Sequence, residues 1–245
     1  MTEERIYYEI LEYAKEVGKK FGEEVVPSNI PFTAEKKYTV ETDHVGVVLI
    51  NPFKIHRDAS EFGVDWRDYV QRVVLHEHLH DEFAKKYPEQ DRRIRKYASE
   101  LRDLFIDKER GVLAVYQPLE IYIDLVLARE LYPEYYEMYS RLLSKIREYW
   151  YAISTSVISF GIEQLVIGIE VKETRLHAII ILASSVVVIG RYLEAKSTIS
   201  RYLPPEYSEL FDEVLGIFRR IRESRDVKVL MELYDRYVEL LKKYL

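Results

Sequence analysis

The residues with the clearest chemical capacity form the short run His76-Glu77-His78-Leu79-His80. His76 and His80 are four residues apart, so on a helix they project from the same face one turn apart. Two imidazoles placed in this way can hold one zinc ion at about 2.0–2.1 Å from each nitrogen. Glu77 lies beside the first histidine, where its carboxylate can reach a metal-bound water without occupying the metal. The spacing therefore serves chelation and general-base chemistry together.

The surrounding residues predict the helix that must present this run. Asp65 can cap a helix from about Trp66 to Tyr87, and Pro88 closes it. The residues before the histidines supply an apolar face for this helix: Trp66, Tyr69, Val70, Val73 and Val74. The histidine pair is thus expected on a well-capped amphipathic helix.

On this helix the sequence resembles the zincin metallopeptidases, whose signature is H-E-x-x-H. The resemblance implies that His76 and His80 are zinc ligands and that Glu77 is the catalytic base. It implies a zinc-dependent metallohydrolase, a peptidase, whose partner is a peptide or protein substrate. In that mechanism Glu77 deprotonates the zinc-bound water, zinc polarises the scissile carbonyl, and Glu77 returns the proton to the leaving amine.

The third ligand is sought on the next helix. Glutamate-type zincins present E-x-x-x-D there, with the Glu on zinc and the Asp orienting a ligand histidine. Asp103 and Asp107 have this spacing, with Asp in the ligand position. Glu100 on the same face is the main rival ligand, and a ligand elsewhere in the chain stays open. Asp107 would then accept a hydrogen bond from a ligand histidine. The alternative is that these acids form a solvated face that pairs with neighbouring Arg and Lys side chains.

For the other histidines we expect roles other than metal binding. His78 points away from the face of the pair, so we expect it in solvent. His44 and His56 are expected in loops that flank the predicted strand, where they could line the cleft, but a surface role is favoured. His177 or one of the tyrosines could stabilise an oxyanion, but a cap or core role suits His177 better, and the oxyanion role is left unassigned.

The chain is predicted to be mainly α (α+β), with one short β element near its front. A helix is expected over 3–21, and a connector is expected from Val26 to Phe32. Lys37–Val40 and Val45–Ile50 predict a short β hairpin, joined by Glu41-Thr42-Asp43-His44. In zincins a strand beside the cleft can hold an extended peptide along its edge, a role the resemblance gives to Val45–Ile50.

The rest of the chain is predicted to be helical. Gly111 is expected to stop the helix that follows Pro88. Further helices are predicted over 89–109, 118–131, 133–159, 161–170, 172–196, 205–223 and 226–244. We expect a minimal zincin-like region over 1–111 and an α-helical region over 112–245, packed as one compact domain.

Composition excludes several other functions. The chain has 245 residues, a formal net charge of -6 and no cysteine, so thiolate metal sites and thiol nucleophiles are excluded. The acidic balance argues against nucleic-acid binding, which needs a basic face. Gly-x-Ser-x-Gly and Gly-rich phosphate loops are absent. Few asparagines among many Glu, Lys and Arg are typical of proteins from hot environments.

Location and assembly are predicted from the same patterns. The charged N-terminus favours a cytoplasmic protein without a secretory signal. The apolar run from Ala178 to Gly190 is shorter than the roughly 20 residues needed to cross a bilayer, so membrane insertion is not expected. The oligomeric state is left open. The competing hypothesis is a non-catalytic helical protein whose histidines hold a structural metal or none, acting as an interaction module.

Overall fold

The computed structural model describes residues 3–38, 46–160 and 171–245. These residues confirm the mainly α fold with a small β element. In the described part of the first half there are five helices and three strands: α1 Glu3–Phe21, β1 Glu24–Pro27, β2 Ala34–Tyr38, β3 Gly46–Ile50, α2 Pro52–Glu61, α3 Trp66–Lys86, α4 Pro88–Arg102 and α5 Lys108–Tyr122. A π-helical turn over Ile123–Leu127 follows. The described elements after this turn are helices: α6 Ala128–Leu131, α7 Pro133–Phe160, α8 Val171–Ile189, α9 Tyr192–Tyr202, α10 Pro205–Glu223 and α11 Val227–Tyr244.

Within the described residues the sheet has three strands, in the order β1-β3-β2. β2 pairs with β3 in the antiparallel sense that the hairpin prediction requires, and residues 39–45 of the link lie outside the described residues. β1 is a further strand that pairs with β3 in parallel, and its last two residues fall in the segment expected as a connector. β3 is therefore the central strand, and the edge role expected for Val45–Ile50 is wrong, because β1 and β2 occupy both of its sides.

The chain divides by its contacts into two compact units. The first comprises residues 1–88 and 127–142, and the second comprises residues 89–126 and 143–245. In the first unit, α3 packs against α1, α2 and the strands β2 and β3. In the second, α8 packs against α5 and α10, and α10 also packs against α9 and α11. The boundary expected at residue 111 falls inside the second unit, within α5.

Gly111 does not end a helix, which corrects the sequence prediction. α4 already ends at Arg102, and α5 begins at Lys108 with Asp107 accepting a hydrogen bond from the Glu109 N–H at 3.1 Å. A Cβ at Gly111 would come within 2.7 Å of the Phe105 ring. Gly111 is therefore explained by the turn before α5, which packs closely against this helix. A glycine suits both close packing and the end of a helix, so the residue type alone does not distinguish the two roles.

Two other predicted helices differ from the structure. The helix expected over 172–196 breaks at Gly190, whose positive φ of 80° suits glycine, so that α8 and α9 are separate. α2 forms where a loop was expected around His56, and Asn51 caps this helix by accepting from the Lys54 N–H at 3.1 Å. The helix expected over 161–170 lies outside the described residues.

One helical stretch among the described residues, Gly111–Leu131, is long and apolar enough to cross a bilayer. Of its most apolar window, 72% is buried inside the protein. This result depends on length and composition alone, and a helix in a protein core can be as long and as apolar.

Candidate metal centre

The helix that carries the histidines forms where the sequence predicts it. The Asp65 carboxylate accepts the Arg67 N–H at 2.7 Å and so caps α3, which ends at Lys86 before Pro88. The α3 side chains Val74, Leu75 and Leu79 are completely buried. Because these apolar side chains fix the rotation of the helix, the face that carries His76 and His80 is fixed as well.

His76 and His80 lie side by side as expected. Their ring centroids are 5.0 Å apart and the rings are almost perpendicular, at 84°. Both side chains are half-buried. The placement follows from the four-residue spacing on an unbroken helix.

One carboxylate joins this pair. Among the described residues, His76, His80 and Glu120 form the one group of His, Asp and Glu side chains that could hold a metal ion. One potential ligand atom from each residue lies within 4.8 Å of the other two. Two imidazole nitrogens and one carboxylate oxygen are a donor set that zinc accepts in catalytic sites.

Asp103, the third ligand predicted from the sequence, and its rival Glu100 both contact lysine side chains. Asp103 follows the end of α4, its side chain is 74% exposed, and it pairs with Lys108 at 3.3 Å. Glu100 is also exposed and pairs with Lys96 at 3.7 Å. Both acids therefore belong to the solvated, ion-paired face that was the alternative interpretation.

Asp107 has a contact of a different kind from the one predicted. Its Oδ1 accepts the Glu109 N–H at 3.1 Å, which places it at the start of α5 as a helix cap. The hydrogen bond from a ligand histidine to Asp107 stays a prediction.

The sequence contains a signal that could have identified Glu120. Glu120-Ile-Tyr-Ile-Asp124 has the E-x-x-x-D spacing with glutamate in the ligand position. These two acids interrupt a strongly apolar stretch, whereas Asp103 and Glu100 lie in a charged one. The third ligand was expected on the helix directly after Pro88, whereas Glu120 lies on the helix after that one. Asp124 is buried, with 1% of its surface exposed, and its Oδ2 lies 3.5 Å from the Arg147 guanidinium.

A tyrosine contacts the first histidine of the pair. The Tyr139 hydroxyl lies 3.0 Å from His76 Nδ1, and Tyr139 itself is completely buried. Sequence reasoning could not select this residue, because the chain has 21 tyrosines and the contact joins positions 63 residues apart.

His78 is not in solvent, which corrects the sequence prediction. The residue is 4% exposed; its Nδ1 lies 2.7 Å from Glu23 Oε1 and its Nε2 lies 2.6 Å from the Tyr132 hydroxyl. Successive helix residues are rotated by about 100°, so His78 faces almost opposite to the His76–His80 pair. That opposite face of α3 is covered by the start of the sheet region and by Tyr132 rather than by water.

His78 belongs to a buried charged cluster. Lys36 forms ion pairs with Glu23 and, at 3.6 Å, with Asp81. Burial acts to raise the pKa of Glu23, but hydrogen bonds from His78 and Lys36, together with their positive charges, outweigh it and lower that pKa. This cluster ties α3 to β2 and to the turn that follows α1.

Glu77 is half-buried, and its carboxylate forms no hydrogen bond or ion pair within the described ranges. It follows His76 directly and precedes His80 by three residues, which keeps it beside the pair around the helix. An unpaired carboxylate in this position can accept a proton from a nearby water.

Two of the remaining histidines lie on other helices. His56 lies in α2, not in a loop, with its ring centroid 6.1 Å from that of Tyr7. His177 lies within α8 and is half-buried. His44 lies outside the described residues.

Comparison with family models, with curated proteins and with solved structures found no match to this chain. The resemblance to the zincins therefore rests on the H-E-x-x-H motif and on the residues around it.

Proposed function

We propose that this protein is a zinc-dependent metallohydrolase, a peptidase, in which His76, His80 and Glu120 hold the metal and Glu77 is the general base. The observation that carries the proposal is the group of two motif histidines and one carboxylate with ligand atoms within 4.8 Å of one another. A histidine pair alone would be compatible with a surface motif, whereas a carboxylate from a distant part of the sequence completes a three-ligand set.

The composition of the group favours catalysis over a structural role. Structural zinc sites are closed by four protein ligands, whereas catalytic sites use three and keep one position for water or substrate. Within the described residues the group has three members, His76, His80 and Glu120. When bound, zinc supplies Lewis acidity, which polarises a carbonyl and lowers the pKa of a coordinated water toward about 7.

The chain itself supplies the proton transfer. Glu77 lies beside the histidines and has no competing hydrogen bond or ion pair in the described part of the chain. It can therefore take a proton from the attacking water and return it to the leaving amine. Such a general base contributes about 10²–10⁴-fold to the rate.

A peptide is the proposed substrate because the H-E-x-x-H motif on α3 resembles that of the zincin metallopeptidases. β2 is an edge strand in the described sheet, but Lys36 ties it to the His78 face of α3, opposite to the histidine pair. We further propose a cytoplasmic location, on the sequence alone.

The test combines metal content with hydrolysis. We expect the parent to bind one zinc ion per chain and to cleave members of a peptide library, followed by mass spectrometry. Glu77→Gln should keep the zinc and lose cleavage by about 10²–10⁴-fold, because it retains the shape of the side chain but not its basicity. Equal cleavage by Glu77→Gln and the parent would refute the assigned base.

The same measurement tests the competing hypothesis of a non-catalytic interaction module with a structural or vestigial site. That hypothesis expects zinc binding, or none, without cleavage of any peptide by the parent. A parent that cleaves peptides only when zinc-loaded excludes it.

A further inference from the structure

We propose that a cleft between α4 and α11 binds a free basic amino acid, a ligand with one carboxylate and two cationic groups. The cleft has a volume of about 400 Å³, within the size range of small-molecule sites. The residues that line it are Glu89, Gln90 and Arg93 of α4, and Lys228, Met231, Glu232 and Asp235 of α11. None of these residues belongs to the metal centre, so the proposal goes beyond the proposed hydrolysis and does not depend on it.

Contacts between the two helices form the cleft. Arg93 Nη2 donates to both carboxylate oxygens of Asp235, at 2.5 and 2.6 Å, and the Tyr97 hydroxyl donates to the same carboxylate at 2.5 Å. The rings of Tyr97 and Tyr234 stack with their centroids 6.1 Å apart. Met231, which is 6% exposed, adds an apolar surface to the lining. The cleft is therefore formed before a ligand enters it.

Three charged side chains of the lining have no partner among the described residues. Lys228, Glu89 and Glu232 form no side-chain hydrogen bond or ion pair in the described ranges. Glu89 precedes Arg93 by one helical turn, a spacing and order at which opposite charges commonly pair. Arg93 is bound to Asp235 instead. The cleft thus offers a ligand one ammonium and two carboxylates.

These unpaired charges determine the class of ligand. The Lys228 ammonium can bind a carboxylate, and Glu89 and Glu232 can each accept hydrogen bonds from a cationic group. One positive and two negative charges leave the three side chains with one negative unit, which a ligand with two cationic groups and one carboxylate neutralises. Free lysine has these three groups on one short chain, and its methylenes can lie against Met231.

The affinity is expected to be low and to depend on salt. The unpaired side chains of Lys228, Glu89 and Glu232 are exposed, and exposed ion pairs are weak because water and salt screen them. We therefore expect a millimolar Kd for lysine that rises with ionic strength. Each of the ion pairs should contribute about two- to fivefold to the affinity.

Met231 supplies a reporter for binding. The chain contains three methionines, Met1, Met138 and Met231, so ¹³C-methyl labelling of the full chain gives few signals. The Met231 signal is assigned by its loss in Met231→Leu. We expect lysine to shift the Met231 signal and to leave the signal of Met138, which lies in α7, in place.

Three probes each lack one of the groups that the cleft is proposed to bind. Cadaverine lacks the carboxylate, norleucine lacks the side-chain ammonium, and Nα-acetyl-lysine, which represents the end of a peptide, lacks the α-ammonium. Each probe should bind about two- to fivefold more weakly than lysine.

Variants assign the groups to side chains. Lys228→Met should weaken lysine binding by about two- to fivefold and remove the preference for lysine over cadaverine. Glu89→Gln and Glu232→Gln should each weaken lysine binding by a similar factor. Lys243→Met removes the same charge from an exposed position in the last turn of α11, outside the lining, and should leave lysine binding unchanged.

Three results would overturn the proposal. The first is a Met231 signal that lysine does not shift, and the second is equal affinity for lysine and for any one of the three probes. The third is a Lys228→Met variant that binds lysine as tightly as the parent and Lys243→Met do. A chain that neither binds zinc nor cleaves peptides refutes the proposed function and leaves this measurement unaffected.

Discussion

The phenol of Tyr237 donates a hydrogen bond of 2.8 Å to the carbonyl of Ala114. That carbonyl lies four residues before Pro118, which has no N–H and cannot supply the helical hydrogen bond. Tyr234 donates in the same way to the next carbonyl, that of Val115, at 2.5 Å. Tyr237 of α11 thus supplies the hydrogen bond that Pro118 cannot give inside α5, the helix that carries Glu120.

Tyr237→Phe should lower the free energy of unfolding by about 1–3 kcal/mol, because it leaves a buried carbonyl without a donor. Pro118→Ala restores an N–H four residues after Ala114. The cost of Tyr237→Phe should therefore be smaller in the Pro118→Ala background than in the parent. Denaturant unfolding of the four proteins measures the difference, and equal costs in both backgrounds would contradict the assigned role.

Glu23 should make the stability depend on pH in the acid range. Its pKa is held below the usual 4.5 by His78 and Lys36 despite burial. Its stabilisation is therefore complete above about pH 4.5 and is lost as the pH falls through the lower folded-state pKa. Glu23→Gln should flatten the fall in stability below this pH, measured by urea unfolding at a series of pH values.

The neighbouring Glu24 supplies the control for this pH dependence, because its side chain is exposed. Glu24→Gln should keep the slope of stability against pH that the parent shows. If the free energy of unfolding falls as steeply with decreasing pH in Glu23→Gln as in the parent, other carboxyl groups cause the loss of stability in acid.

Lys36→Met should destabilise the protein by about 3–5 kcal/mol, because it leaves the buried carboxylates of Glu23 and Asp81 without their shared cation. In a double-mutant cycle with Glu23→Gln, the combined loss should be smaller than the sum of the single losses. Additive losses, measured by denaturant unfolding at pH 7, would show that the two side chains are not coupled.

Asp65→Ala should cost about 1 kcal/mol, because the Arg67 N–H at the start of α3 loses its acceptor. Asp65→Asn keeps an acceptor oxygen and should cost less. Thermal and denaturant unfolding distinguish them. If both variants lose the same stability, the loss comes from the charge and not from the cap.

Zinc should stabilise the folded protein, and the variants should separate the two candidate third ligands. Saturation at about 100 times Kd adds roughly 2.7 kcal/mol to the free energy of unfolding. Glu120→Gln should abolish most of this gain, whereas Asp103→Asn should retain it. Removal of zinc by a chelator should lower Tm in the parent and in Asp103→Asn. A zinc response that is lost in Asp103→Asn and kept in Glu120→Gln would favour the ligand predicted from the sequence.

The local part of the site could be predicted from the sequence because it depends on local rules. Asp65 begins α3, Pro88 follows its end, and four-residue spacing places His76 beside His80. The last helix, α11, could be predicted in the same way, because Asp226 caps it and the apolar side chains along one of its faces are buried. Each of these features depends on residues within one or two helical turns.

Only the tertiary structure decided which distant side chains meet α3. Glu120, Tyr139 and Glu23 lie 40 to 63 residues from the histidines they approach, and many acids and tyrosines have the same local signature. His78 shows the physical reason most directly. The helix repeat fixed the direction in which its ring points, but whether that direction leads to water or to Glu23 and Tyr132 depends on long-range packing.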